Sequence, residues 1–570
     1  LMVSYSTNLK ASDFIIFTNG LTELREIDTT SLSQNSERDA YLEFLLGYEA
    51  EITAKWEEAL NRYSKALALD PDSLYLKKKF AQMLVRLGRI DEAIPVLEEI
   101  IVSDPNYAPA LSLLAELYNS KKRIKNSIEI YERLIKLEPE KTDHALMLAI
   151  LYATVGDYNR SLELLEKIIE MEPENSMALY YIGSINLEKK EYTKAEEIFL
   201  KIISINQNFD AAYTNLGIIS ETKRDLISAE GYYKTALRIN PYNLFARERL
   251  TQLYITEKSY DKAIGELEEL LKIIPKNLDI YQRLGFLYLQ ERQYEKSVYA
   301  FRLILEAKPD DIAVRYYLAL SLEGLKRYNE AIDELKKILS IDPKNINAFL
   351  SMASIYSVQK LYSDAVNIYE EILTFEKEKP EIYAYLANTY IQMKEYAKAE
   401  DILIDALFRF PDNDELYFII AIVYDKTDRF NDMVNALKRA IEINPNNADS
   451  LNYLGYSYAD RNINLMEALH LIERAIELKP NSGYIIDSLG WVYFRLNRLD
   501  EALKTLKRAI EYVKDDPVIY EHLGDVYEKL GNIDEAIKAW NEALKFHEKE
   551  EGLKERVELK IRDLKTKAKD

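Results

Sequence analysis

Few side chains in this sequence have the type and spacing that catalysis or metal binding requires. The 570 residues include no cysteine, which excludes disulfides, thiolate metal sites and a cysteine nucleophile. The four histidines are not spaced as a metal-binding pair on one helix face; they are His144, His470, His522 and His547. Motifs for binding dinucleotides or phosphates and for zinc proteases are also missing. We therefore predict a protein that is not an enzyme, with no catalytic residue, no metal ligand and no cofactor.

Acidic residues are abundant, but their pattern carries no catalytic signal. The chain has 75 Lys and Arg against 96 Asp and Glu, which gives a formal net charge of −21. Adjacent acids such as Glu98 and Glu99 are interpreted as solvated helix surface. Because this charge repels a phosphate backbone and an anionic membrane, we expect neither nucleic acid nor such a membrane as a partner. The longest apolar runs, such as Phe418–Val423, are too short to span a bilayer.

The prolines reveal an internal repeat. Eleven of the fifteen prolines occupy one position of a 34-residue period, with one extra residue before the last of them. They are Pro71, Pro105, Pro139, Pro173, Pro241, Pro275, Pro309, Pro343, Pro411, Pro445 and Pro480. When the first repeat starts at residue 40, position 8 is Gly or Ala in every repeat except that of Thr251. Position 20 is mostly Ala, with Ser127, Ser161 and Ser297 as substitutes.

Each repeat predicts two helices joined by a short turn. Apolar residues at positions 4, 7 and 11, and again at 24 and 27, lie at helix spacing. Small residues at positions 8 and 20 allow the two helices to approach closely, and the proline at position 32 ends the second helix. Since one hairpin cannot bury its own apolar face, neighbouring hairpins must stack. We predict fifteen units over residues 40–550, a capping helix over 551–570, and a cap or tether over 1–39.

This pattern resembles that of the tetratricopeptide-repeat family. One repeat carries the family's small, aromatic and proline positions almost completely, at Tyr213, Leu216, Gly217, Ala229, Tyr233, Ala236 and Pro241. The resemblance implies an all-α fold, a right-handed superhelical α-solenoid of about fifteen helical hairpins with a C-terminal capping helix. It also implies a non-catalytic scaffold that binds segments of partner proteins in a concave groove. In this family, positions 2, 5, 9, 12 and 13 of the first helices line that groove.

The groove positions predict a surface with two chemical characters. Positions 5 and 9 are apolar or aromatic in the later half of the chain, at Phe286, Tyr316, Leu320, Leu350, Phe418, Ile422, Tyr456 and Trp491. Nearer the C-terminus these positions are acidic, at Asp487, Glu521 and Asp525. Apolar and aromatic surfaces of this kind mark binding sites, and the acids beside Trp491 favour a basic segment with an apolar anchor. The alternative, that helix packing buries some of these side chains, stays open at this point.

The last three repeats resemble a narrower bacterial group. Residues 452–461, 487–493 and 522–527, with Trp540, are similar to long tetratricopeptide proteins, often outer-membrane lipoproteins, that resemble the adaptor of a periplasmic carboxy-terminal processing protease. This resemblance implies an envelope adaptor or assembly factor in the periplasm or at the outer membrane, with a protease and its substrates as partners. A signal and a lipid anchor would then be encoded before Leu1. The alternatives are a cytoplasmic co-chaperone or regulatory hub, and a substrate-recruiting subunit of an enzyme complex.

Overall fold

The computed structural model describes residues 35–567, and this part of the chain consists of helices and turns without a strand. Its residues fall into two compact units, divided between Ile273 and Ile274, which we call unit 1 and unit 2. Each unit is a row of helical hairpins in which every helix packs against the next one along the chain. The predicted all-α solenoid of helical hairpins is confirmed. The continuity of one solenoid over residues 40–550 stays a prediction.

Unit 1 contains seven hairpins, each made of an odd-numbered first helix and an even-numbered second helix. Its helices are α1 (Asn35–Ile52), α2 (Trp56–Leu69), α3 (Leu74–Arg86), α4 (Ile90–Ser103), α5 (Ala108–Ser120), α6 (Ile124–Leu137), α7 (Thr142–Thr154), α8 (Tyr158–Met171), α9 (Ser176–Glu188), α10 (Tyr192–Ile205), α11 (Asp210–Thr222), α12 (Leu226–Ile239), α13 (Leu244–Thr256) and α14 (Tyr260–Ile273).

Unit 2 contains eight hairpins and a further helix after the last of them. Its helices are α15 (Leu278–Gln290), α16 (Tyr294–Ala307), α17 (Ile312–Gly324), α18 (Tyr328–Ile341), α19 (Ile346–Val358), α20 (Tyr362–Phe375), α21 (Pro380–Gln392), α22 (Tyr396–Arg409), α23 (Asp414–Lys426), α24 (Phe430–Ile443), α25 (Ala448–Asp460), α26 (Leu465–Leu478), α27 (Gly483–Arg495), α28 (Leu499–Tyr512), α29 (Pro517–Lys529), α30 (Ile533–Lys545) and α31 (Leu553–Lys567).

A left-handed residue ends the first helix of every hairpin. This residue stands at repeat position 15, with φ from 57° to 81°, and it is Gly88, Gly156 or Gly531 in three hairpins. Glycine adopts this conformation at little cost, and it turns the chain sharply into the second helix. In most other hairpins the residue is Lys, Arg or Asn, so composition alone did not mark this turn.

The link between hairpins is also encoded locally. Helix α12 ends at Ile239, Pro241 follows, and the Asn243 side chain accepts a hydrogen bond from the Ala246 backbone N–H at the start of α13. Proline cannot continue the helix, and the Asn cap satisfies an N–H that the first turn leaves free. The predicted role of the periodic prolines as helix stops is confirmed.

Small residues allow the two helices of a hairpin to touch, as the repeat pattern predicts. A Cβ atom added at Gly217 in α11 would overlap the ring of Tyr233 in α12, which is fully buried. Where serine replaces alanine at position 20, its hydroxyl is also buried. Ser127 Oγ, for example, donates a hydrogen bond of 2.8 Å to the Ala115 carbonyl across the hairpin. The substitution is tolerated because the hydroxyl is satisfied inside the core.

The described helices reach both ends of the predicted repeat region. Helix α1 begins at Asn35, so the first hairpin starts five residues before the predicted residue 40. The rest of the expected N-terminal cap or tether lies outside the described residues. Helix α31 occupies the predicted capping segment, and its residues Leu553 and Val557 are fully buried. Residues 568–570 also lie outside the described part.

Candidate functional site

The predicted apolar groove residues occupy one face of the odd-numbered helices of unit 2, which we call the groove face. Seven of them are half-buried, neither part of the core nor fully exposed; they are Phe286, Tyr316, Leu320, Leu350, Phe418, Ile422 and Tyr456. Most of them pack at one edge against the core of unit 2, a cluster of buried side chains that runs from Val298 to Val492. Their remaining surface can contact a partner, and their role in binding stays a prediction.

The groove face is concave at the C-terminal end of unit 2. The ring centroid of Tyr456 in α25 lies 6.1 Å from that of His522 in α29, although α27 stands between these helices in the row. The indole of Trp491 in α27 stacks on the same His522 at 4.1 Å. Side chains from three successive first helices therefore converge on one point, which requires the row of helices to curve toward this face.

Trp491 lies inside this convergence and is only 7% exposed. It stacks on His522 on one side, and its centroid lies 4.9 Å from that of Phe494. The indole Nε1 is buried and forms no hydrogen bond with any residue that the structure describes. The expectation of an open aromatic anchor at Trp491 is wrong, because curvature of the helix row closes the face over this side chain.

Asp487 is also buried, at 6% exposed, and it pairs with His522. Its carboxylate oxygens lie 3.0 and 3.1 Å from His522 Nδ1. Burial lowers the pKa of His522, but attraction to Asp487 and the hydrogen bond to it outweigh burial and raise the pKa above its usual value. Asp487 therefore forms a buried ion pair with His522. The prediction that Asp487 belongs to an open acidic surface is wrong.

Glu521 and Asp525 are covered by helix α31. Glu521, 4% exposed, accepts hydrogen bonds from Arg556 Nε at 2.9 Å and Lys560 Nζ at 2.8 Å. The partly buried Asp525 accepts hydrogen bonds from Lys560 Nζ at 2.7 Å and Trp540 Nε1 at 3.0 Å. We call Glu521, Asp525, Arg556 and Lys560 the cap cluster. The predicted pairing of a basic segment with these acids is thus met by the chain's own C-terminal helix, and the prediction that Glu521 is open to a partner is wrong.

The pKa values of the two acids of the cap cluster are shifted in opposite directions. Burial raises the pKa of Glu521, but its hydrogen bonds to Arg556 and Lys560 outweigh burial and hold that pKa below its usual value. The pKa of Asp525 is raised by burial, although the charge of Lys560 and its hydrogen bond act against the shift. The charged form of Glu521 is therefore favoured despite its burial, because Arg556 and Lys560 both donate hydrogen bonds to it.

Two cavities of unit 2 adjoin the groove face. The larger, of about 730 Å³, is lined by the predicted residues Phe286 and Leu320 and by residues that the sequence did not indicate, among them Tyr317, Glu323, Arg292 and Lys326. The smaller, of about 220 Å³, is lined by residues of α19, α20 and α21, among them Ser357, Tyr362, Tyr369, Tyr385 and Asn388. Tyr385 is 46% exposed on this face. Concave surfaces with aromatic walls and a few polar groups are typical of binding sites.

The described residues contain neither a metal-binding cluster nor a membrane-spanning helix. Across residues 35–567, no group of three or more His, Asp or Glu side chains is arranged to hold a metal ion. No helix in this range has both the length and the apolar character needed to cross a membrane.

Comparison with solved structures finds matches of low sequence identity. The crystal structure of yeast Tom70 is 18% identical and covers 81% of this chain and 96% of its own, with a TM-score of 0.37. The structure of Naa15/Naa10 bound to HypK-THB is 15% identical in sequence, and the match covers 92% of this chain and 96% of that chain, with a TM-score of 0.30. The crystal structure of the APC/C hetero-tetramer Cut9–Hcn1 is 15% identical in sequence, and the match covers 95% of this chain and 98% of that chain, with a TM-score of 0.32. No curated protein shows significant similarity to the chain.

Family models match most of the repeats. The Psidin N-terminal TPR repeats region matches residues 48–204. Models described as tetratricopeptide repeat match residues 255–321, 359–421, 436–470 and 517–549, and one described as TPR repeat matches 490–531. A further tetratricopeptide-repeat model matches 313–345 and 414–447. These matches agree with the 34-residue period and the hairpins of both units, and the chain is a member of the tetratricopeptide-repeat family.

Proposed function

We propose that this protein is a non-catalytic scaffold that binds segments of partner proteins on the groove face of unit 2. The observation that supports this proposal is the row of half-buried apolar and aromatic side chains on five first helices of unit 2, beside two cavities. A helix face normally places polar residues where it meets solvent, so apolar side chains that recur along one face favour a partner. Aromatic side chains are also the residues that most often anchor interfaces.

Internal packing accounts for part of this row, but not for all of it. The ring of Phe286 lies 5.5 Å from Phe301 and 4.6 Å from Tyr317, so Phe286 contributes to the wall of the hairpin. Tyr385, by contrast, leaves almost half of its surface exposed beside the smaller cavity. This exposed surface is available for contact with another molecule. The exposed remainder is therefore the part that we assign to a partner.

The finer role that we propose is that of an adaptor in a bacterial envelope, which holds a protease and its substrates together. Its support is the resemblance of residues 452–461 and 487–493 to the bacterial adaptor group. Tethering two proteins on one scaffold raises their effective concentration without new contacts between them. A cytoplasmic hub or an enzyme's recruiting subunit would use the same groove face, and cell fractionation together with the identity of the bound partner distinguishes these roles.

Site-specific photo-crosslinking tests the binding face directly. A photoreactive phenylalanine analogue replaces Leu350 or Phe418 on the groove face and, as a control, Phe408 in α22. Phe408 lies on a second helix, outside the groove face, and is 87% exposed, so it is more accessible than either test residue. We expect protein adducts from Leu350 and Phe418 in the native cell, and few or none from Phe408.

The control decides how the adducts are interpreted. If Phe408 gives adducts as readily as the groove residues, exposure alone explains capture and the groove face has no special role. If the groove residues give none while Phe408 does, partners bind the outer surface and the proposal is wrong. A charge substitution, Leu350→Asp, should also reduce capture through Phe418 if one partner segment spans both residues.

A further inference from the structure

Acidic residues recur at the C-terminal ends of the first helices, where the following hairpin can supply a hydrogen-bond donor to the carboxylate. In three hairpins, the carboxylate at repeat position 12 bonds to the side chain 28 residues later, on the next first helix. These pairs are Glu51 with Lys79 at 3.2 Å, Glu221 with Arg249, and Asp425 with the hydroxyl of Tyr453 at 2.8 Å. A carboxylate on this half-buried face therefore normally receives a donor from within the chain.

Glu323 occupies the same position in α17, but its donor is missing. The residue 28 positions later is Ser351, and its hydroxyl lies 3.1 Å from the hydroxyl of Tyr316. No hydrogen bond or ion pair reaches the Glu323 carboxylate from any residue between 35 and 567. Burial raises the pKa of Glu323, with no opposing charge to lower it. The face thus holds a half-buried carboxylate that no cation or hydrogen-bond donor of the described residues contacts.

This carboxylate lines the larger cavity of unit 2 together with aromatic rings. Phe286 and Tyr317, whose centroids are 4.6 Å apart at 89°, form part of the wall beside Glu323. The negative faces of aromatic rings and a carboxylate both attract a cation, most strongly where water is partly excluded. Arg292 and Lys326 also line the cavity, and neither forms an ion pair with Glu323 in the described chain. Both would repel a cation, so they limit its affinity and do not satisfy the carboxylate.

We propose that this cavity binds the lysine or arginine side chain of a partner segment, with Glu323 as the acceptor and Phe286 and Tyr317 as the aromatic wall. The proposal deepens the scaffold function above and rests on it, since it names the chemistry of one partner contact. A volume of about 730 Å³ accommodates a short extended stretch of chain, not a single side chain alone. The apolar Leu320 beside Glu323 would contact the residues that flank the cation.

A peptide series with one variable residue tests the charge preference. The probes are fluorescent pentapeptides of sequence Ala-Leu-X-Leu-Ala with blocked termini, where X is Arg, Lys, Gln or Glu, and their binding to the full chain is measured by anisotropy. We expect Arg and Lys peptides to bind more tightly than the Gln peptide. Glu323→Gln should weaken the Arg peptide about tenfold, the loss of one charge-assisted hydrogen bond, and leave the Gln peptide unchanged.

Three further variants separate the site from general electrostatics. Glu306→Gln removes the same charge from an exposed residue of α16 outside the cavity, so Arg-peptide binding should not change. Lys326→Gln removes a repelling cation and should tighten the Arg peptide several-fold. Ser351→Arg supplies a donor 28 residues after Glu323, as Arg249 does for Glu221, and should abolish the preference for Arg. Circular dichroism confirms that each variant remains helical.

Each alternative result overturns the cation site. If the Arg and Gln peptides bind equally, or Glu323→Gln changes nothing, Glu323 is not an acceptor for a partner. If the Glu peptide binds most tightly, Arg292 and Lys326 determine the specificity instead. If no peptide binds, the cavity does not take a cationic segment. None of these results removes the crosslinks expected at Phe418, so failure of this inference is distinguishable from failure of the scaffold function.

Discussion

Trp491 offers the sharpest test of how the C-terminal end of the groove face is built. The sequence analysis placed this residue on a binding surface, and replacing a surface anchor by alanine would weaken partner capture and leave stability nearly unchanged. In the structure its indole is 7% exposed and stacked between His522 and Phe494. We therefore predict that the main effect of Trp491→Ala is a large loss of local stability, and not a loss of partner capture alone.

The size of the loss follows from three contributions. Replacing a buried tryptophan by alanine costs about 3–5 kcal/mol through lost burial and the cavity left behind. The stacked pair with His522 adds about 1 kcal/mol. The indole N–H, however, is buried without an acceptor in the described residues, a cost of about 1–3 kcal/mol that the substitution removes. The expected net destabilisation is about 3 kcal/mol.

Hydrogen exchange measures this loss where it should occur. A local destabilisation of about 3 kcal/mol lowers the protection of backbone amides by roughly a hundredfold. We expect this loss in α27 and α29, which carry Trp491 and His522, and little change in unit 1. Trp491→Phe is the matched control, because it keeps a ring over His522 and removes the unpartnered N–H. It should cost about 1 kcal/mol or less.

A small effect would refute the packing argument. If Trp491→Ala changes protection in α29 less than fivefold while partner capture falls, the side chain is a surface anchor and α27 and α29 are less tightly packed than described. If Trp491→Phe is as damaging as Trp491→Ala, the N–H has an acceptor in solution, and the magnitude worked out above is wrong.

Three other predictions concern charge and packing. Because the pKa of His522 is raised, its pair with Asp487 stabilises unit 2 fully below a pH of about 6.5, and this stabilisation is lost as the pH rises through the raised pKa. Melting temperatures measured across this pH range should show the loss. Asp487→Asn should make the melting temperature less dependent on pH. Lys560→Met leaves the carboxylates of the cap cluster with one cation fewer and should destabilise the C-terminal hairpin by about 2 kcal/mol, as measured by urea unfolding. Equal urea midpoints for the variant and the parent protein would show that the cluster is solvated. Gly217→Ala would push a methyl group into the ring of Tyr233 and should lower the stability of unit 1 by about 1–3 kcal/mol, and an unchanged melting temperature would contradict this close contact.

The sequence predicted the hairpins well because each one is specified by local signals. The prolines end the second helices, as Pro241 does after α12, and small residues such as Gly217 mark where two helices touch. These signals lie within one repeat, so they can be found without knowing how repeats stack. The left-handed turn at position 15 was not found, since residues as different as Gly88 and Lys122 occupy it.

The groove was harder to predict because its exposure depends on curvature. Positions 5 and 9 have the same place in every repeat, yet Leu350 is half-buried and Trp491 is buried. The difference arises where α25, α27 and α29 converge on His522, a contact that spans 66 residues and has no signature within one repeat. The covering of Glu521 by α31 is similar, although the basic residues of the capping helix were visible in the sequence.

The pairing of each carboxylate says more about binding than acidity alone. Glu521 is neutralised by the capping helix and Glu221 by the next hairpin, so a partner's cation would have to displace one already present. Such an exchange gains little, because one charge pair is lost for each one formed. Glu323 has no cation to displace in the described chain, so a partner's cation relieves an existing desolvation cost at this point of the groove. The acid-rich C-terminus is therefore the part of the groove face least suited to a basic partner, although it has the most carboxylates.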